Sequence, residues 1–463
     1  MRAAAPSAPQ GNTTIDRLLI GLVLAIGVYA ADDLALSTVL PAVAADLAGD
    51  RLYGASFVAF LLTNLASLVA TGYFIDRFGV ARPFAVGMAL FGAGLVLGCA
   101  ALSMPAFVLG RGLQGLGGGA LQAVVSATLT LAWSGAARQR AISWVTTGWM
   151  VPALLGPGAA GWIAHVRDWR HVFGALVLLS ALTTVLVLPR LRRVQGGATA
   201  VADDTNLIAP LPLPGAVVRD ALIIALAMGG VVAGLTRADV PGCALAAASL
   251  VAGWPALAAS LPQHFWCAGS PLAAVLLLRL LACAVFFGIE AWLPWVARRS
   301  DLATPVVAGL VLSAAAGGWT AATWWVDAAI ARRGAPAILA LASALLLGGT
   351  ALTWYALIEA RSLTLLFAAW SVAGAAMGMI YPVVSMLAMA RAEPGREGRL
   401  SMMLGLADTL GITCSIGLGG AWLRAEQAGA LGRVGPLWLG LVMLTLLLPL
   451  LLITRRRYFV ASC

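Results

Sequence analysis

Four carboxylates stand well inside long apolar runs, away from their ends: Asp32, Asp33, Glu290 and Asp408. A charged carboxylate is costly at membrane depth, so each is a functional candidate by default, facing a polar interior or a partner. Desolvation favours a neutral acid and a nearby guanidinium favours a charged one, so such a group can take up and release a proton as its surroundings alternate. The chemistry expected of all four is proton coupling, a proton exchanged against a cationic or neutral substrate.

Asp32 and Asp33 are neighbours midway along one apolar run and point roughly 100° apart, so they do different jobs. Tyr29, Asp33 and Ser37 form a polar stripe at i, i+4 and i+8, which favours Asp33 as the working acid. Glu290 lies one turn before Pro294; it faces a cavity or pairs with Arg298 or Arg299. Asp408 shares a helical face with Ser401, Gly405, Gly411 and Ser415, and Arg279 either pairs with it or reaches for the membrane surface. Arg111 sits well inside another run, with Gln114, Gly118 and Gln122 on its face, and an arginine so placed normally has an acidic partner. Trp149 and Trp370 fall within runs rather than at their ends, where aromatic faces suit lipophilic cations. The expected substrate cavity is therefore Tyr29, Ser37, Arg111, Gln114, Gln122, Trp149 and Trp370.

The elements that position these groups are membrane helices. Of 463 residues, 61% are hydrophobic and 10% charged, against roughly a quarter charged in soluble domains. Apolar runs occupy 18–45, 54–75, 83–103, 105–133, 141–165, 171–189, 272–297, 303–330, 335–357, 363–390, 400–423 and 434–453. They are too long for strands and lack alternation. Two weaker runs, 216–236 and 240–260, follow a polar, Pro-rich stretch, giving fourteen spans, with twelve as the alternative. The domains expected are a cytoplasmic tail 1–16, a six-helix bundle 17–190, a linker 191–271 with two extra helices, a second six-helix bundle 272–454, and a cytoplasmic tail 455–463. The first apolar run is far longer than a signal-peptide core and is read as uncleaved.

All 29 basic residues are Arg, giving a net charge of +10. With fourteen spans, eighteen fall on the side of the termini and nine opposite, which puts both termini in the cytoplasm. Apart from Arg111 and Arg279 they cluster in and around short connections rather than in a stripe, so no nucleic acid is expected. The six Cys are scattered and read as inert packing, and with three His no metal site is expected. There is no phosphate-binding loop and no Lys to complete one, which excludes ATP hydrolysis, and no cofactor is expected. No nucleophile–base pair lies at membrane depth, so the chain is not read as an enzyme.

The halves repeat. Offsetting by 259 residues superposes Gly115 on Gly374, Arg140 on Arg399, Gly158 on Gly417 and Gly161 on Gly420, and Trp149 on Asp408. Parallel repeats of this kind imply a pseudo-twofold along the membrane normal and a binding site between the halves.

Three motifs lie on this frame. Gly72-Tyr73-Phe74-Ile75-Asp76-Arg77-Phe78-Gly79 with Arg82 closes the second run. Gly110-Arg111-Gly112-Leu113-Gln114-Gly115 opens the fourth, and Gly156-Pro157-Gly158-Ala159-Ala160-Gly161 kinks the fifth. In this order they resemble the major facilitator superfamily, most closely its fourteen-helix drug:proton antiporter branch. Asp32 eight residues before Leu40-Pro41, Asp168-Trp169-Arg170-His171 and Phe287-Gly288-Ile289-Glu290 with Pro294 are similar to that branch as well.

The resemblance covers the chain except 190–271 and the termini. It implies alternating access, favours Asp32 over Asp33, and makes Gly72, Asp76, Arg77, Gly79, Arg82, Gly156, Pro157 and Gly161 the gating residues. Two departures stand out: Val80-Ala81 where paired basic residues are usual, and Ala160-Gly161 where paired Gly are usual. The function so implied is a proton-coupled exporter of amphipathic or lipophilic cationic small molecules, a multi-pass monomer of a bacterial inner membrane with protons, substrate and lipid bilayer as partners. An exporter of a lipid or a specific metabolite in the same fold is the alternative.

Overall fold

A computed structural model describes residues 13–133, 135–201, 215–237, 239–262, 264–391 and 397–427. Among these, thirteen long helices follow in order. They are α1 (Thr13–Asp46), α2 (Tyr53–Phe78), α3 (Ala81–Cys99), α4 (Met104–Ala132), α5 (Gly135–Val166), α6 (Trp169–Val201), α7 (Gly215–Arg237), α8 (Val240–Ser260), α9 (Pro271–Arg299), α10 (Pro305–Arg333), α11 (Ala335–Ile358), α12 (Leu363–Met389) and α13 (Glu397–Gln427). Every expected run within the described residues is a helix, including the two weaker ones, which are α7 and α8. The run 434–453 lies outside the described residues.

Twelve of the thirteen are long and apolar enough to cross a membrane. The exception is α5, whose first turns carry Arg138, Arg140, Ser143, Thr146 and Thr147 and dilute its apolar character. Helix starts are set locally. Ser270, Thr304 and Ser362 each accept a hydrogen bond from the backbone N–H three residues on, and Pro271 and Pro305 occupy first-turn positions where no N–H is needed. Gly79, at φ 69°, ends α2 in a conformation that a side chain would strain.

The repeat is visible in the packing. In the first half α2 packs on α4, α3 on α4 and α1 on α5; in the second, α10 packs on α12, α11 on α12 and α9 on α13. Gly115 of α4 lies against the Phe60 carbonyl of α2, and Gly374 of α12 lies against the Ala315 carbonyl of α10, the same job at the 259-residue offset. Without hydrophobic attraction between helices in lipid, such backbone approach through small residues is what holds them. Gly158 and Gly417 part company: the first meets Leu310 of α10, the second Val232 of α7. The hairpin α7–α8 thus covers one seam between the halves, α7 touching both α2 and α13, and breaks the twofold.

Call the end where α1 begins the near end, and the end holding the 47–52, 167–168 and 300–304 connections the far end. The far-end connections are tied together: Arg170 donates to Asp46 at 2.8 Å and to the Ala101 carbonyl at 3.1 Å, and Trp169 donates to Asp46 at 3.2 Å.

Candidate functional site

The halves close on each other at the far end. Gly161 of α5 meets the Pro305 backbone, and Gly309 of α10 meets the Pro157 carbonyl. Tyr53 donates its hydroxyl to the Ala291 carbonyl at 2.8 Å, and Arg298 donates to the Pro41 carbonyl at 2.7 Å. Toward the near end, α5 and α10 present Trp144, 59% exposed, and Trp324, 77% exposed. Within the Gly-Pro segment, Gly161 and Gly158 do the packing; a Cβ on Gly156 would meet nothing within 4 Å.

Between these ends lies the polar cluster of the first half. Arg111 Nη1 donates to Asp32 Oδ2 at 2.8 Å, with both side chains fully buried. The same nitrogen donates to Gln114, and the guanidinium lies 4.3 Å from the Phe60 ring centroid. Arg111 Nε and Nη2, Asp32 Oδ1 and Gln114 Nε2 find no hydrogen-bond partner, so the pair is made through one contact and incompletely satisfied. Arg111 is therefore paired, as its depth requires, and its face is the one read from the spacing.

Tyr29 stands beside this pair. Its ring stacks 5.8 Å from Phe60 and meets Trp149 edge-on at 5.4 Å. Asn64 donates to the Tyr29 hydroxyl at 3.4 Å and accepts from Gln122 at 3.4 Å. Asn64 was missed from sequence, although a lone amide inside the run 54–75 is the signal that would have found it. Ser37 is buried on the same stripe.

Asp33 and Glu290 differ from the other two acids. Both are half-buried, and neither makes a hydrogen bond or ion pair with a described residue. The outer-rim pairing with Arg298 does not form, since that side chain is engaged by Pro41. α1 and α9 run parallel and meet at the Arg298–Pro41 contact. Glu290 is eight residues before Arg298 and Asp33 eight before Pro41, so both lie about 12 Å below that contact. The two carboxylates come one from each half.

Asp408 is gripped inside the second half. Arg279 donates to it twice, Nε to Oδ1 at 2.6 Å and Nη2 to Oδ2 at 2.8 Å. Tyr381 donates its hydroxyl at 3.0 Å and the Cys283 thiol donates at 3.2 Å, so this cysteine is more than packing. Arg279 also donates to Ser385 at 2.6 Å and lies 3.5 Å from the Tyr381 ring centroid. Of the two readings for Arg279, the ion pair is the one found. Trp370 is fully buried, stacked 4.9 Å from Phe286 with the rings 3° from parallel, and belongs to the packed interior of the second half.

At the turn after α2, Arg77 and Arg82 are exposed, and their guanidinium carbons lie 5.4 and 6.0 Å from the Phe78 ring centroid. Gly72 sits in the last turns of α2, and the Asp76 side chain lies outside the described residues.

Two helical halves with repeated packing, joined at one end around intramembrane charges, point to one family, and residues 22–416 match the Major Facilitator Superfamily. The chain belongs to that superfamily. Among its relatives is a "Probable multidrug-efflux transporter" of Mycobacterium tuberculosis, 29% identical over 439 residues and spanning 91% of each chain. The "Multidrug transporter protein MdtP" of Bacillus subtilis is 27% identical over 156 residues, 34% of this chain and 29% of that protein. Solved structures with the same fold include the peptide transporter POT in complex with sulfate, at TM-score 0.68, 17% identity and coverage of 95% of this chain and 94% of that one. The xylose transporter XylE from E. coli superposes at TM-score 0.62, with 14% identity and coverage of 96% and 98%. As a major facilitator protein the chain is a multi-span membrane transporter, not an enzyme, and its substrates are small molecules.

Proposed function

We propose that this transporter exports amphipathic or lipophilic cationic small molecules in exchange for protons, by alternating access between its halves. The observation that carries the reading is the pair Asp33 and Glu290, unpaired carboxylates supplied at similar depth by opposite halves. An unpaired acid at membrane depth is sustained by what it binds, a proton in one part of the cycle and a cation in another. Tyr29 and Trp149 add aromatic faces beside Asp33, which suits a cation with apolar bulk. The multidrug-efflux names of the relatives agree with export of such compounds.

In this reading residues 17–190 and 272–454 are the two moving bundles, and 191–271 inserts the α7–α8 hairpin between them, making fourteen spans with 434–453. Arg asymmetry puts the near end and both termini in the cytoplasm of a bacterial inner membrane, so the far-end closure corresponds to an inward-facing state. Asp32, held by Arg111 through one contact, is the acid whose pairing changes as Asp33 and Glu290 load. Gly72, Asp76, Arg77, Gly79 and Arg82 supply near-end contacts that replace the far-end ones when the protein turns outward, and Gly156, Pro157 and Gly161 let α5 bend. Each copy works as a monomer.

The test is transport by purified protein in liposomes with an imposed pH gradient, following ethidium. Gradient-driven movement by the wild type, lost in Asp33→Asn and Glu290→Gln, is expected. Wild type that moves ethidium equally with and without the gradient would sink proton exchange. Wild type that moves none would remove this cation from the substrate range.

A further inference from the structure

We propose that the near end of the first half carries a binding site for the headgroup of an anionic phospholipid, built from Arg17, Arg190 and Arg193. α1 and α6 cross at Gly21 and Val187, where a Cβ added to Gly21 would lie 2.8 Å from Val187 Cγ2. A recess of about 270 Å³ opens beside the crossing. Its lining combines two chemistries: the basic Arg17, Arg190 and Arg193 with the apolar Val185, Leu186 and Pro189. Among the described residues no acid lines it, and none of the three arginines forms an ion pair with a described residue.

Two features select a phospholipid over a free anion. First, the apolar side opens outward: Val185 is 71% exposed on the outer surface of the bundle, where acyl chains lie. Inorganic phosphate would use the guanidinium groups and leave that surface idle, whereas a lipid uses both. Second, the depth is right. Arg17 opens the apolar span of α1 and Arg193 closes that of α6, so the three charges stand at the hydrocarbon boundary, where headgroup phosphates reside.

The helix itself builds the recess. Pro189 has no N–H, so the Val185 carbonyl loses its helical donor and α6 is weakened there. The next carbonyl, Leu186, accepts from the Arg190 guanidinium, which holds that side chain back along the helix and over the recess. Guanidinium forks suit phosphate oxygens in a way that a point charge does not, and this chain uses arginine at every basic position.

The experiment is native mass spectrometry of the full chain, purified into detergent with equal phosphatidylglycerol and phosphatidylcholine. The wild type is expected to retain phosphatidylglycerol selectively. Arg17→Ala and Arg193→Ala each lower its retention about fivefold, and the triple alanine variant abolishes the selectivity. Arg237→Ala, at the far end, is expected to change nothing. If the triple variant fails to fold, the single exchanges at the exposed Arg17 and Arg193 decide the matter. Retention unchanged in those two overturns the site. Loss of bound phosphatidylglycerol on adding millimolar inorganic phosphate, with phosphatidylcholine unaffected, overturns the lipid assignment in favour of a free anion.

Discussion

Arg279 holds Asp408 through two nitrogens, at 2.6 and 2.8 Å, while Arg111 holds Asp32 through one, at 2.8 Å. The first carboxylate also accepts from Tyr381 and Cys283, and the second keeps an oxygen without a partner. A carboxylate occupied by several fixed donors ties its helices together. One held by a single contact is easier to release. Asp408, expected from sequence to carry protons, is on this geometry a tie among α9, α12 and α13.

Asp408→Asn should therefore act on stability first. Leaving Arg279 without its carboxylate should cost about 3–5 kcal/mol, seen as a lower melting temperature of the purified protein. The coupling of any remaining transport to the pH gradient should survive. Asp408→Asn that melts like wild type but loses gradient dependence would return Asp408 to the coupling acids.

Tyr53 and Ala291 carry a hydrogen bond between the halves at the closed far end. Tyr53→Phe removes it without changing shape, so the closed arrangement should lose about 1 kcal/mol, roughly a fivefold shift in the open-to-closed ratio at that end. Distances between spin labels on the two halves, measured with and without the exchange, would reveal it. An unchanged distribution would mean that the bond breaks and reforms at no net cost.

Gly161 and Gly156 belong to one motif but should respond differently. Gly161→Val puts methyl groups into the Pro305 backbone and should force the far end open, raising labelling of a cysteine placed at Thr38, beside Gly309. Gly156→Ala meets nothing within 4 Å and should leave labelling unchanged. Equal effects from the two would show that helix flexibility, rather than interhelical contact, sets the closure.

Much of this was legible because the bilayer simplifies the code. Spans follow from run length, so even the interrupted runs that became α7 and α8 were readable, and the 259-residue offset predicted the matching roles of Gly115 and Gly374. An arginine as deep as Arg111 announces a partner, and the polar stripe through Tyr29 announced the cluster. What periodicity does not carry is which face meets which helix. Asn64 was overlooked because one amide in an apolar run has no period, and Trp370 was read as open because burial within a half depends on neighbours far away in the chain, such as Phe286. The hydrogen bonds of Cys283, Tyr381 and Ser385 around Asp408 were hidden for the same reason.

Trp149 and Trp370 make the final test, since sequence gave them one role and the fold gives them two. Trp149 is half-buried and meets Tyr29 edge-on beside the unpaired Asp33, so its indole is available to a bound cation. Trp149→Ala should leave the melting temperature within a few degrees and raise KM for an aromatic cation about fivefold, the value of one partly desolvated cation–π contact. Trp370 has no exposed surface and stacks on Phe286. Trp370→Ala should leave a cavity costing about 3–5 kcal/mol, with KM little changed in whatever protein remains folded. Trp370→Phe, which keeps the stacking, should recover most of that stability. If Trp149→Ala destabilises while Trp370→Ala raises KM, the two roles are reversed and the substrate space lies within the second half rather than between the halves.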